Sequence, residues 1–394
     1  MFAARTNWSL TPNRLSRGLD ELRRDGRAWL DLTESNPTRC GFAIDSALIQ
    51  EALADPRALL YEPDPRGPLA AREAVVEYYS ERGVRLSPQQ VFLTTSTSEA
   101  YSFVFRLLAD SGDSILVPHP SYPLFEFLAE LSDVRLAPYP LVYHDGWGID
   151  LAALGAGAES ARGRARAIML VHPNNPTGSF VSGAEADALA AFCASHGLAL
   201  VADEVFADYA WSPGAGRVRT FAAEQGVLTF TLSGLSKISA LPQMKLSWIV
   251  VTGPDDLRKE AQARLEVIAD TYLSVSAPAA YALPRLLELR RQIQPQVLER
   301  VRANRRALDE QLSAPLPVSR LRAEGGWYAI VRVPATRSDD DWAAGLLARE
   351  QVLVHPGHFF DFPADGHLVV SLLPAPEVFR EGIAKLLAYV SDCC

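Results

Sequence analysis

Lysine is nearly absent from this chain of 394 residues. Of 38 basic residues, only Lys237, Lys245, Lys259 and Lys385 are lysine. Any chemistry that requires a primary amine therefore has four candidates. Cysteine is also scarce: Cys40, Cys193, Cys393 and Cys394 form no CxxC pair and show no zinc spacing, which excludes a disulfide scaffold or zinc module. The pair Cys393-Cys394 reads as a frayed terminus. No apolar run approaches the ~18 residues a transmembrane helix needs. A basic excess is lacking too. The net charge is −9, so there is no electrostatic footprint for nucleic acid or an anionic membrane. The start, Met1-Phe2-Ala3-Ala4-Arg5, lacks the apolar core of a signal peptide, and a cytoplasmic protein is expected. The fragment Gly155-Ala156-Gly157 lacks the third glycine of a dinucleotide loop. His355 and His358 have no third ligand nearby, so no metal site is expected. His355 and His358 read instead as pocket-lining residues near the substrate side chain, and His172 as packed against cofactor or core.

What is present is ordinary globular composition, 48% hydrophobic and 22% charged. The length predicts two or three domains. The middle of the chain alternates short apolar runs with helical patterns, as a mainly parallel α/β sheet requires. Strands are expected over 91–93, 115–117, 167–171, 198–202, 227–232 and 244–251. Helices are expected from Glu99 to about Asp110 and from Ser182, where Glu185 completes a capping box, to just before Gly197. Long helical patterns cover about 255–271 and 279–312. Pro315, Pro317 and Pro334 punctuate a second region. Its strands are read at 327–333, 352–354 and 368–373, with a helix over 376–390, the style of a smaller α+β domain. The first ~40 residues read as polar and irregular, able to wrap back onto that domain. The expected division is 45–275 for a large domain, and 1–44 with 276–394 for a small one.

Polar residues recur where the central strands end: Ser96 to Ser98, Tyr122, Asn175, Asp203 and Lys237. In an open α/β sheet, ligands bind at those carboxyl ends. Singly, each has an ordinary structural role as a helix cap, a turn or a solvated charge.

Their order and spacing resemble the class I/II aminotransferases, enzymes of fold type I that use pyridoxal 5′-phosphate (PLP). Gly234-Leu235-Ser236-Lys237, with the basic Lys245 eight positions on, resembles the family's lysine signature. Asn175-Pro176-Thr177-Gly178 resembles its NPTG turn. Asp203-Glu204-Val205 resembles its Asp-Glu strand end. Tyr61 followed by Arg66-Gly67, Leu69 and Arg72 resembles its Tyr…Gly…Leu-Arg segment. Gly325-Gly326-Trp327-Tyr328 and Val354-His355-Pro356-Gly357 resemble motifs of its small domain. The resemblance runs from about Asn36 to the C-terminus. It implies a large domain with a mainly parallel, seven-stranded-type sheet between helices, plus a smaller α+β domain.

The resemblance also assigns roles. Lys237, Asp203 and Tyr122 are implied as catalytic. Lys237 would form the Schiff base with the cofactor and then move a proton between Cα and C4′. Asp203 would pair with the pyridine nitrogen and hold the ring as an electron sink. Tyr122 would stack on the ring, and Asn175 would hydrogen-bond its hydroxyl oxygen. Ser96, Thr97 and Ser98 open a helix suited to a phosphate. Ser236 and Lys245 would add contacts there, and Tyr61 would reach the phosphate of a neighbouring subunit in a homodimer.

Four positions depart from the pattern. Lys245 stands where the family has arginine, and Phe206 where it has a tyrosine that binds the ring oxygen. Gly234 stands where serine is common. Val369, two residues before Ser371, stands where an arginine clamps the substrate α-carboxylate. The substrate is therefore expected to be an amino acid or amine with a keto-acid acceptor, lined by Ser35, Asn36, Arg39 and Val369. Arg39 and, less so, Arg332 are the candidate replacements for the missing arginine. Phe359 and Phe360 hint at an uncharged substrate side chain. Transamination is the function expected. A PLP-dependent lyase, decarboxylase or racemase-like enzyme is the alternative, and a non-catalytic PLP-binding regulator is a more distant one.

Overall fold

The computed structural model describes residues 1–214, 216–312 and 316–393; Pro315 and Cys394 lie outside them. The strands of the central sheet are mostly apolar and buried because both faces are covered. Ile115 and Val117 face one layer while Leu116 faces the other. Met169 and Leu170 divide in the same way, following the two-residue period of a strand.

Eight strands form this sheet, in the spatial order Val91–Thr94, Ser247–Thr252, Thr229–Gly234, Ala199–Asp203, Ala165–Val171, Ser114–His119, Arg135–Tyr143 and Trp147–Ile149. The four pairings between Thr229–Gly234 and Arg135–Tyr143 are parallel. Ser247–Thr252 runs antiparallel to both its neighbours. The sheet thus has one strand more than the seven expected. The extra one, Trp147–Ile149, returns along Arg135–Tyr143 as a hairpin.

One face is covered by helices Thr97–Leu108, Phe125–Leu131 and Asp255–Tyr272. The other is covered by Leu151–Ser160 and Gly183–His196, and, at the Val91–Thr94 end, by Leu69–Ser80 and Ala277–Glu288. The helix Gly183–His196 starts and stops as its sequence dictates. Ser182 accepts from Glu185 N and the Glu185 carboxylate accepts from Ser182 N, while Gly197 ends the helix in the left-handed region.

A four-stranded antiparallel sheet forms the second region, in the order Ser319–Arg320, Tyr328–Arg332, His367–Ser371 and His355–Pro356. It shares a core with helices Arg290–Gln311, Asp339–Glu350 and Pro376–Asp392. Val352–Leu353 pairs instead with Leu30–Asp31, in a separate parallel ribbon.

Two expectations are corrected. The single helix over 279–312 is two, Ala277–Glu288 and Arg290–Gln311, broken at Leu289. Pro284 and Pro295 each remove an i→i−4 hydrogen bond, so neither flank enforces continuity through Leu289. The first ~40 residues are not irregular throughout. Arg14–Arg24 is a helix, with Leu15, Leu19 and Leu22 on one face against the core it shares with Leu346 and Leu347. Its arginine-rich outer face masks that stripe in the sequence. From this helix the N-terminal segment crosses to Phe125–Leu131. There the Trp8 ring meets Phe127 edge-on at 5.5 Å, its Nε1 donates to Glu130, and Arg5 pairs with Asp133 at 2.5 Å.

Candidate active site

Three adjacent strand ends of the central sheet build one polar cluster. Ala165–Val171 runs into the turn holding Asn175, Ala199–Asp203 ends on Asp203, and Thr229–Gly234 runs into the short helix Leu235–Ile238 that carries Lys237. Asp203 is buried. Its Oδ1 accepts from Val205 N at 2.9 Å and its Oδ2 from the Tyr101 hydroxyl at 2.5 Å. Burial raises its pKa, which these two hydrogen bonds and the Lys237 charge oppose.

Lys237 is half-buried, and no carboxylate lies within ion-pair distance of its Nζ among the described residues. Nζ stands 5.2 Å from the Trp327 ring centroid and 5.7 Å from that of Phe206. Desolvation lowers its pKa, against the opposing pull of Asp203. Its backbone is pinned by the Tyr209 hydroxyl, which donates to Lys237 O at 2.6 Å. A neutral amine is therefore more accessible here than on a lysine in water.

Asn175 is buried, and its Oδ1 lacks a partner among the described residues. Rotation of the amide would offer its two N–H donors in the same place. Ser96 caps the helix Thr97–Leu108 by accepting from Glu99 N at 3.1 Å, so Thr97 and Ser98 stand in its first turn, where amides are free. Tyr122 is half-buried, its hydroxyl pKa raised to about 12 chiefly by burial, with the Asp203 charge adding to it. Ser236 is half-buried beside Lys237. These groups are what a phosphorylated pyridine aldehyde requires. There is a poorly solvated amine, a buried carboxylate, an unpartnered amide and a helix N-terminus, all converging at strand ends. Among the described residues no cluster could hold a metal ion.

The departures have physical reasons. A side chain at Gly234 would meet Ser247, whose Oγ lies 2.2 Å from the position of a Cβ. Phe206 is buried edge-on against Trp327, with ring centroids 5.2 Å apart. Lys245 is exposed, in left-handed backbone, and makes no ion pair among the described residues. Arg72, singled out with Tyr61, is a scaffold residue. It donates to Gly67 O at 2.8 Å and pairs with Asp64 at 3.0 Å.

The second sheet closes the site from the other side. Tyr328, half-buried, accepts a hydrogen bond from the Ser35 hydroxyl and lies 6.4 Å, ring to ring, from Phe206. Val369 is fully buried among Leu321, Ile330, Phe360 and Phe362. Arg39 is exposed, 4.0 Å from the Glu34 carboxylate, and Asn36 caps the turn before it by accepting from Thr38 N. Arg332 is exposed at its strand end. His355 and His358 diverge. His355 packs against the Phe360 ring with its pKa lowered to about 4 by burial, while His358 pairs with Asp340. His172 is buried, with its pKa likewise lowered to about 4. Backbone bonds seam the two regions. Ser121 N donates to Phe360 O at 2.9 Å, Gly326 N to Tyr209 O at 2.9 Å, and Glu324 N and Gly325 N both to Gly178 O at 3.0 Å.

The model of the family described as aminotransferase class I and II matches residues 29–381. The chain belongs to the class I and II aminotransferases. A glutamate–pyruvate aminotransferase of Escherichia coli is 27% identical over 378 residues, 94% of this chain and 92% of that protein. An alanine aminotransferase of Mycobacterium tuberculosis is 28% identical over 374 residues, 93% and 86% of the two chains. Among solved structures, an alanine aminotransferase from Pyrococcus furiosus superposes with a TM-score of 0.87 across 100% of both chains at 22% identity, a likeness of fold. This aminotransferase is a PLP-dependent transferase, and the named relatives favour transamination over the lyase, decarboxylase and racemase alternatives.

Two groups at the site went unread in the sequence. Tyr101 lies three and four residues after Ser98 and Thr97, on the same helix face, a spacing that would have found it. Tyr209 carried no such signal, because its hydroxyl meets a backbone carbonyl.

Proposed function

We propose that this aminotransferase holds PLP on Lys237, as a cytoplasmic homodimer, and moves an amino group from an amino acid or amine to a keto acid. The bound cofactor supplies an aldehyde to take up the amine and an electron sink for the Cα–H bond. The chain's residues do the rest. Lys237 Nζ would hold the cofactor's aldehyde and, as a free amine, would take up and return the proton of the substrate Cα. Asp203 keeps its negative charge at the ring nitrogen. Tyr122 covers the ring face, Asn175 binds the ring oxygen, and the first turn of Thr97–Leu108, with Ser236 and Lys245, binds the phosphate. The observation that carries this reading is the half-buried Lys237 amine, set 5.2 Å from the Trp327 ring centroid and near buried Asp203, with no ion-pair partner among the described residues.

A second copy would cover the exposed apolar surface of Leu59, Leu60, Tyr61, Tyr272 and Leu273. Tyr61, 82% exposed, would then reach the other copy's phosphate. The two domains are taken as 45–275 and 1–44 with 276–394. Ser35, Asn36 and Arg39 line the substrate side with Val369. The relatives named above make L-alanine and L-glutamate the first donors to test. The apolar setting of Val369 supports a second reading, a donor that places no carboxylate there.

The test is the absorbance spectrum of the protein with PLP, before and after single amino acids and amines. We expect a visible band that Lys237→Ala abolishes and that one donor converts to the pyridoxamine form. No band after PLP is added would overturn the reading.

A further inference from the structure

We propose that Tyr101 is a positioning residue for the ring-nitrogen carboxylate, holding Asp203 ionised and aimed from the same helix that presents the phosphate cradle. This rests on the reading of Asp203 above. Tyr101 is 1% exposed, and its hydroxyl donates to Asp203 Oδ2 at 2.5 Å, short for a hydrogen bond. The other carboxylate oxygen is held by Val205 N. With one bond on each oxygen, rotation of the carboxylate is opposed, and one lone pair on each oxygen is left for a further donor. The Tyr101 ring is itself locked, edge-on to Phe125 at 5.3 Å and against Phe105 at 6.2 Å.

The helix Thr97–Leu108 has one end at the phosphate amides and, one turn further, the phenol on Asp203. A pyridine ring with its phosphate arm would be gripped at both ends by one rigid element. The other groups that bear on this carboxylate are Lys237, Tyr122, Tyr79 and its neighbour Glu204. Only Lys237 among them is a cation. The hydrogen bond also has an electronic consequence. A phenol that donates to a carboxylate makes it a weaker base, so the proton it shares with a ring nitrogen stays on the nitrogen. Without that donor, the carboxylate draws the proton back and the ring loses electron-withdrawing power.

The experiment compares wild type, Tyr101→Phe and Asp203→Asn, each loaded with PLP. Tyr101→Phe keeps the ring packing and removes only the donor. We expect the pH midpoint of the visible band to rise by about half a unit. We expect kcat to fall about tenfold or more, with the donor KM little changed. Tyr101→3-fluorotyrosine, a stronger donor of nearly the same shape, should move the midpoint the opposite way and keeps the test alive if Tyr101→Phe folds poorly. An unmoved midpoint in both variants, with Asp203→Asn shifting it, would overturn this inference alone. An Asp203→Asn spectrum like wild type would overturn the reading of Asp203 itself.

Discussion

Glu204 shows how much a single side chain can cost in this site. It is 2% exposed, next to Asp203, and accepts from Thr220 Oγ1 at 2.7 Å and Phe221 N at 2.6 Å. Burial lifts its pKa from 4.5 to about 7 in spite of those bonds. The folded protein therefore binds a proton there more tightly than the unfolded chain. Stability from this group is full below about pH 4.5 and is lost as pH rises toward 7. Compared with Glu204→Gln, the wild-type unfolding free energy should decline by on the order of 3 kcal/mol across that window, read by urea titration at several pH values. A difference flat in pH would refute this. At the residue scale, Lys237, Asp203 and Asn175 were legible because they stand at strand ends in a recognisable order. Tyr101 and Tyr209 were not, because what identifies them is where a hydroxyl lands, 102 and 28 residues away in sequence.

Elements were legible where local chemistry decides them. Gly183–His196 carries its own start and stop signals, and Ser182→Ala should lower stability by about 1 kcal/mol through loss of the cap, measured by thermal unfolding. The break at Leu289 and the helix Arg14–Arg24 were not legible. The first depends on prolines tolerated only because both helices pack elsewhere, and the second on a narrow apolar stripe under arginines. The turn after Ala165–Val171 gives a sharper test. Gly178 has φ +66°, and a Cβ there would stand 2.4 Å from Gly325 O. Gly178→Ala should cost more than about 2 kcal/mol, since it combines backbone strain with a clash. It should also release PLP more readily, because the turn that carries Asn175 could no longer dock. Equal unfolding temperatures and equal PLP affinity in the two proteins would count against that account.

For the whole molecule, the sheet of eight strands was legible as a class but not in count, since a three-residue return strand such as Trp147–Ile149 has too little pattern to read. The assembly is testable directly. Leu60, 62% exposed beside Tyr61, should tolerate no charge if a second copy covers it. Leu60→Glu is expected to halve the mass seen by sedimentation and to weaken PLP binding, while Tyr61→Phe leaves the mass unchanged and weakens PLP alone. A wild type that sediments as a monomer would end the dimer reading.

The seam between the two sheets has a consequence of its own. It is stitched by main-chain N–H and C=O groups at Ser121, Phe360, Gly178, Glu324, Gly325, Gly326 and Tyr209, and it closes only because Gly178 and Gly325 carry no side chain. Beside it, Val369 and Phe360 are buried in a cluster of their own and Tyr328 is half-buried, and none of these side chains supplies one of the seam's bonds. On the proposed placement of the substrate, its choice and the seam rest on different atoms, so side chains can be exchanged there without removing these bonds.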